Sequence, residues 1–172
     1  MSIQPKAGEM LVGAYLKHIE DCDFIDYQKH GRVDGKQAEV DVVGLKLDEE
    51  PEIYVAEVVT HLRGMRYNRG EPNSTTLERK FKKDEKLVTS EFGNQHTYNF
   101  QLWSPSVRPT SIEELHNMAS DFKRRTGEEL DLVINEKFTE EIAKLRTSAK
   151  SNKSQGNELA FRFLQILEEV QE

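Results

Sequence analysis

Glu39-Val40-Asp41-Val42-Val43-Gly44-Leu45 and Ile53-Tyr54-Val55-Ala56-Glu57-Val58-Val59-Thr60-His61 are two apolar runs separated by Asp48-Glu49-Glu50-Pro51. Short apolar runs rich in β-branched residues and bounded by turn formers read as strands. Residues 37–47 and 52–61 are therefore expected to pair as the centre of a sheet. If the chain turns through residues 47–51 so that Lys46 faces Glu52, Asp41 lies opposite Glu57. Opposed side chains share a face about 5 Å apart, although a slip of one residue would separate them. On that face Asp41 joins Val43, Leu45 and Leu47, and Glu57 joins Ile53, Val55, Val59 and His61, with Glu39 further out. Carboxylates set among apolar residues are costly unless paired or bound to metal. Their mutual repulsion raises one pKa, and a divalent cation relieves it. Ligands that are all oxygen point to Mg²⁺ or Mn²⁺ rather than zinc. An edge hairpin with its acids in solvent fits the same pattern.

Working outward, residues 8–20 read as a helix with Val12, Leu16 and Ile19 on one stripe. Residues 24–27 suggest a short strand and residues 31–36, with two glycines and an aspartate, a turn. The polar stretch 63–74 reads as a loop. Ser74 or Thr75 is expected to cap a helix running to about Phe92, with Glu78 completing a capping box. A strand over 97–103 follows, then a helix over 112–125 capped by Ser111 and ended by Gly127. Residues 130–134 form a last strand, and helices over 136–150 and 157–170 close the chain. The order α-β-β-β-α-β-α-β-α-α implies an α/β or α+β domain with a mixed sheet.

The 172 residues suffice for one domain, 1–172. No apolar run approaches the roughly 18 residues that span a bilayer, and the first residues lack the apolar core of a signal peptide. The single cysteine, Cys22, permits no internal disulfide. A cytoplasmic protein without membrane attachment is the simplest expectation. A net charge of −7 argues against nonspecific coating of nucleic acid. Yet residues 62–86 hold eight basic and four acidic side chains. Such a patch suits a phosphate polymer beside an acidic site, or is a solvated helix face.

In these residues the chain over about 8–103 resembles the PD-(D/E)XK, or restriction-endonuclease-like, nuclease superfamily. The resemblance rests on Glu9 at the start of the first helix, on Asp41 in Glu-Val-Asp-Val-Val-Gly, on Glu57 in Ile-Tyr-Val-Ala-Glu-Val-Val-Thr-His, and on the element order. It implies a restriction-endonuclease-like core, with about 111–172 packed on it as a C-terminal extension. It also implies a Mg²⁺ (or Mn²⁺) site made by Asp41, Glu57, Glu9 and the Val58 carbonyl. Two departures stand out. Val40 precedes Asp41 where the family often has proline, and Val59 replaces the lysine that orients the attacking water. Lys80 is the best substitute, since at about 100° per residue it lies roughly 60° from Leu77 on the following helix; His61 is the second. Arg63, Arg66, Arg69 and Lys83 are expected to contact nucleic acid.

The expected function is therefore a Mg²⁺-dependent nuclease acting on DNA, or less readily RNA, with Asp41, Glu57, Lys80 and Glu9 as its catalytic group. A nuclease-fold protein that lost its chemistry at Val59 and serves as a binding or interaction module is the alternative. An unrelated α/β protein with coincidental acids is the third reading. The amphipathic last helix, with Leu159, Phe163, Ile166, Leu167 and Val170, packs on the domain or forms the seam of a homodimer.

Overall fold

The computed structural model describes residues 4–65, 67, 70–154 and 158–170. Its elements are α1 (Ala7–His18), β1 (Phe24–Val33), β2 (Lys36–Lys46), β3 (Glu52–Val58), α2 (Asn73–Phe92), β4 (Thr97–Ser104), α3 (Pro109–Thr126), β5 (Leu130–Ile134), α4 (Glu136–Ser151) and α5 (Leu159–Glu169). The five strands form one sheet in the order β1-β2-β3-β4-β5. The first three pair antiparallel, whereas β3–β4 and β4–β5 are parallel. The fold is thus α+β with a mixed sheet, in the element order read from the sequence.

Helices cover both faces. α2 and α3 pack over Val43, Val55, Phe100 and Leu102, burying Leu77, Phe81, Leu115 and Phe122. α1, α4 and α5 cover the other face, where Tyr15, Leu16, Val42, Ala56, Trp103, Leu145 and Phe161 pack together. Trp103 is fully buried, donates Nε1–H to Gln101 Oε1 at 2.8 Å and meets Tyr15 edge-on, so it is core. Burying one large apolar side chain contributes roughly 1.5–3 kcal/mol, and together these side chains hold the layers. On α5 only Phe161 and Gln165 are buried, while Leu159, Phe163, Ile166, Leu167 and Val170 remain exposed. Among the described residues no helix is long and apolar enough to cross a membrane.

Several boundaries differ from expectation. β1 runs ten residues, not four, because its polar second half is an edge strand with one face in solvent. The turn accordingly shortens to Asp34-Gly35, both at positive φ. α2 is not capped by Ser74 or Thr75. It starts two to three residues earlier, after Pro72, and the Asn73 side chain accepts from Tyr67 N–H and donates to the Met65 carbonyl. α3 likewise begins at Pro109, whose missing N–H and fixed φ suit a first helical position, so Ser111 is inside the helix and not its cap. Gly127 closes α3 in the left-handed conformation.

The β2–β3 register pairs Lys46 with Glu52 and Val42 with Ala56. Continuing it by one residue sets Asp41 against Glu57. Just there the strands are irregular. Gln28 on β1 has φ 52°, and Val40 and Val43, three residues apart, pack in the same core cluster. Strict alternation would send them to opposite faces, so side-chain direction shifts by one step around Asp41.

Candidate functional site

Asp41, Glu57, Lys80 and Asp84 come together beneath α2. β2 supplies Asp41, whose Oδ2 accepts the Val58 N–H at 2.8 Å. This bond ties Asp41 to the end of β3, where the regular ladder has stopped. β3 supplies Glu57, which has no solvent exposure. α2 supplies the other two, one helical turn apart. Lys80 Nζ is 4.0 Å from Asp41 Oδ2 and forms a close ion pair with Glu57 Oε2. Asp84, 1% exposed, lies against Glu57. Glu57 Oε1 and Asp84 Oδ2 are buried without a hydrogen-bond donor among the described residues.

The electrostatics follow from that crowding. Burial pushes the Glu57 carboxyl well above the ordinary range, and Asp84 and Asp41 push it further, against the pull of Lys80. Burial raises Asp84 to about 7, opposed by its hydrogen bond with Glu57 and by Lys80. The two adjoining carboxyls therefore retain a proton near neutrality. Burial works against the Lys80 ammonium, but Glu57 and Asp41 outweigh it and hold its pKa above the usual lysine value. The Tyr67 phenol also belongs to this environment. Its hydroxyl is buried without a hydrogen-bond partner among the described residues, and burial raises its pKa while Lys80 lowers it and Glu57, Asp41 and Asp84 raise it.

The remaining expected residues sit elsewhere. Glu9 is buried, but its Oε2 accepts the Lys6 N–H at 2.9 Å and the Gln28 amide at 3.0 Å, and Lys6 Nζ lies 3.1 Å from its Oε1. No described hydrogen bond or ion pair joins Glu9 to Asp41 or Glu57, although Lys6 feels both Glu9 and Asp41. α1 starts close to the end of β3, since a Cβ on Gly8 would stand 2.4 Å from Thr60 Cγ2. The Val58 contact with Asp41 is made by its N–H. Val59 is core, 5% exposed, with its N–H on the Trp103 carbonyl. His61 and Arg63 are exposed in the loop after β3. Lys83 is exposed on α2, and Arg66 and Arg69 lie outside the described residues.

Asp84 and Tyr67 were not singled out by sequence. For Asp84 a signal existed: at about 100° per residue it falls within roughly 20° of Leu77, inside the apolar stripe of α2. A charged residue on a buried helix face is a site candidate in its own right. Tyr67 sits in a polar loop and gave no such signal.

The site has the donors for a divalent cation in part. Asp41 and Glu57 offer oxygens from adjoining strands, and the orphaned Glu57 Oε1 marks a place short of positive charge. Among the described residues no group of three or more His, Cys, Asp or Glu is placed to hold a metal ion. The carboxylates are instead arranged around the Lys80 ammonium. Mg²⁺ is commonly held by one or two carboxylates with water and substrate oxygens making up the rest, and Asp41 with Glu57 fits that pattern. Glu9 is engaged through Oε2 by the Lys6 N–H and the Gln28 amide, while its Oε1, beside Lys6 Nζ, is buried without a hydrogen-bond partner among the described residues. Comparison with family models, curated proteins and solved structures gives no match.

Proposed function

We propose that the protein is a Mg²⁺-dependent phosphodiesterase of the PD-(D/E)XK type, acting on nucleic acid, most readily DNA. The observation that carries this reading is Lys80, which comes from α2 to lie between Asp41 and Glu57 while Val59 fills the usual lysine position with hydrocarbon. Asp41 and Glu57 would hold the metal, which supplies Lewis-acid polarisation of the phosphate and a more acidic bound water. The Val58 N–H fixes the Asp41 carboxylate, so its orientation is set before substrate arrives. Lys80, kept protonated by its two carboxylates, can turn toward the scissile phosphate and offset the charge that grows in the transition state. The apolar surroundings of Glu57 strengthen each of these interactions. Localisation in the cytoplasm and pairing of two copies through the exposed stripe of α5 belong to the same reading, and light scattering checks the latter.

The test is nicking of supercoiled plasmid in Mg²⁺ or Mn²⁺ against EDTA, by wild type, Asp41→Ala and Glu57→Ala. Metal-dependent nicking by wild type alone is expected; nicking unchanged in both variants would remove the site from consideration. That, among the described residues, no group of three or more such side chains is placed to hold a metal ion favours a second reading, an inactive relative that only binds nucleic acid. Binding that ignores EDTA, with no cutting in any metal, would establish that reading.

A further inference from the structure

α2 has a second face. Beside the acidic cluster lies a cleft of about 600 Å³ walled by α2, by Arg125 of α3 and by Val33-Asp34 at the tip of the β1–β2 hairpin. Its cations are Arg79, Lys80, Lys82, Lys83, Lys86 and Arg125, and among the described residues that line it the only acid is Asp34. In a chain of net charge −7 this is a marked local excess. A solvated helix face explains a row of lysines. It does not explain why a second helix and a hairpin tip flank that row to make a concave, mainly cationic wall.

We infer that this cleft is the track for the phosphate backbone of a nucleic-acid strand, in place of the loop carrying Arg63. The inference rests on the nucleic-acid substrate of the proposed function. Lys80 gives the decisive geometry. It lines the cleft and also contacts Glu57 and Asp41. A phosphodiester seated in the cleft is therefore within one lysine side chain of the acidic cluster. The other cations are held loosely. Arg79 pairs with Glu71, Lys82 with Glu78, Lys86 with Asp34 and Arg125 with Glu85, all through partly or largely exposed side chains. Such pairs are weak in water and exchange readily for phosphate. Among the described residues no carboxylate forms an ion pair with Lys83, leaving it open to a ligand. Arg63, by contrast, stands in an exposed turn beyond β3 and lines no part of this cleft.

The experiment is fluorescence anisotropy with a labelled oligodeoxynucleotide, single-stranded and duplex, in EDTA over a salt series. Lys83→Glu combined with Lys86→Glu is compared with Arg63→Glu, and circular dichroism checks that each variant is folded. The cleft variant is expected to weaken binding by about tenfold or more and to flatten the salt dependence by about one unit per lysine lost. Arg63→Glu should change binding less. Wild-type affinity in the cleft variant, or a larger loss from Arg63→Glu, would overturn the inference. Asp41→Ala separates the two ideas, because it should bind as wild type and cut nothing. Cleft-dependent binding without metal-dependent cleavage by wild type would sink the nuclease reading and leave the track standing.

Discussion

Glu9 and Glu57 are both glutamates with almost no exposure, yet their surroundings are opposite. At the start of α1, Glu9 accepts a backbone N–H and an amide N–H and has Lys6 beside it. It closes its helix's capping box and ties α1 to β1. Beneath α2, Glu57 meets two other acids, one lysine and apolar walls. Burial alone does not distinguish a structural acid from a chemical one; the supply of donors does. A fold gains from the first arrangement. The second is the kind of arrangement that marks a functional-site candidate.

The sharpest way to break the comparison is to remove the acids under α2. Asp41→Ala and Glu57→Ala should each lower plasmid nicking by about 10²–10³-fold or more while the circular dichroism spectrum is kept. Lys80→Met comes next, with cleavage down by about 10²-fold. Because the ammonium occupies the space between the two carboxylates, the same change should tighten Mn²⁺ binding in calorimetry. Weaker Mn²⁺ binding would mean that Lys80 organises the acids and does not compete with a cation.

Asp84→Asn tests the electrostatic half of the contrast. The folded-state pKa of Asp84 is raised from 3.8 to about 7, so between those values the native protein holds a proton that the unfolded chain has lost. Stability therefore rises as pH falls from about 7 toward 4 through this group and drops as pH rises. Thermal melts of wild type should show that slope superimposed on the other titrations, and Asp84→Asn should flatten it. An unchanged slope would show that Asp84 is not the group responsible. The smallest effect is expected from Glu9→Gln. Gln keeps a capping carbonyl but loses the charge beside Lys6, which should cost no more than about 1 kcal/mol in urea unfolding, with the nicking rate unaltered. A fall in nicking like that of Glu57→Ala would erase the distinction and return Glu9 to the site.

Much of this arrangement is readable in the sequence because two strong local signals act together. The turn at 47–51 fixes the β2–β3 register, and the helical phase of α2 brings Lys80 toward the sheet. β1 was less legible. An edge strand with polar residues on its open face, as over Gln28 to Arg32, lacks the apolar alternation that marks a half-buried strand. The helix starts differ from expectation where proline, not serine or threonine, stands at the N-cap of α2 and at the first position of α3. Tyr67 was hidden because tertiary packing, with no local pattern, carries a loop residue into the site.

The irregularity at Gln28 has a further consequence at the rim of the sheet. β1 is an edge strand of ten residues, long enough to template the addition of a foreign strand. A residue at φ 52° in its middle interrupts the flat row of backbone groups, and Lys29 beside it adds charge. An edge broken in this way is a poorer template for strand addition than a flat one, and the residue that breaks it is the one whose amide holds Glu9.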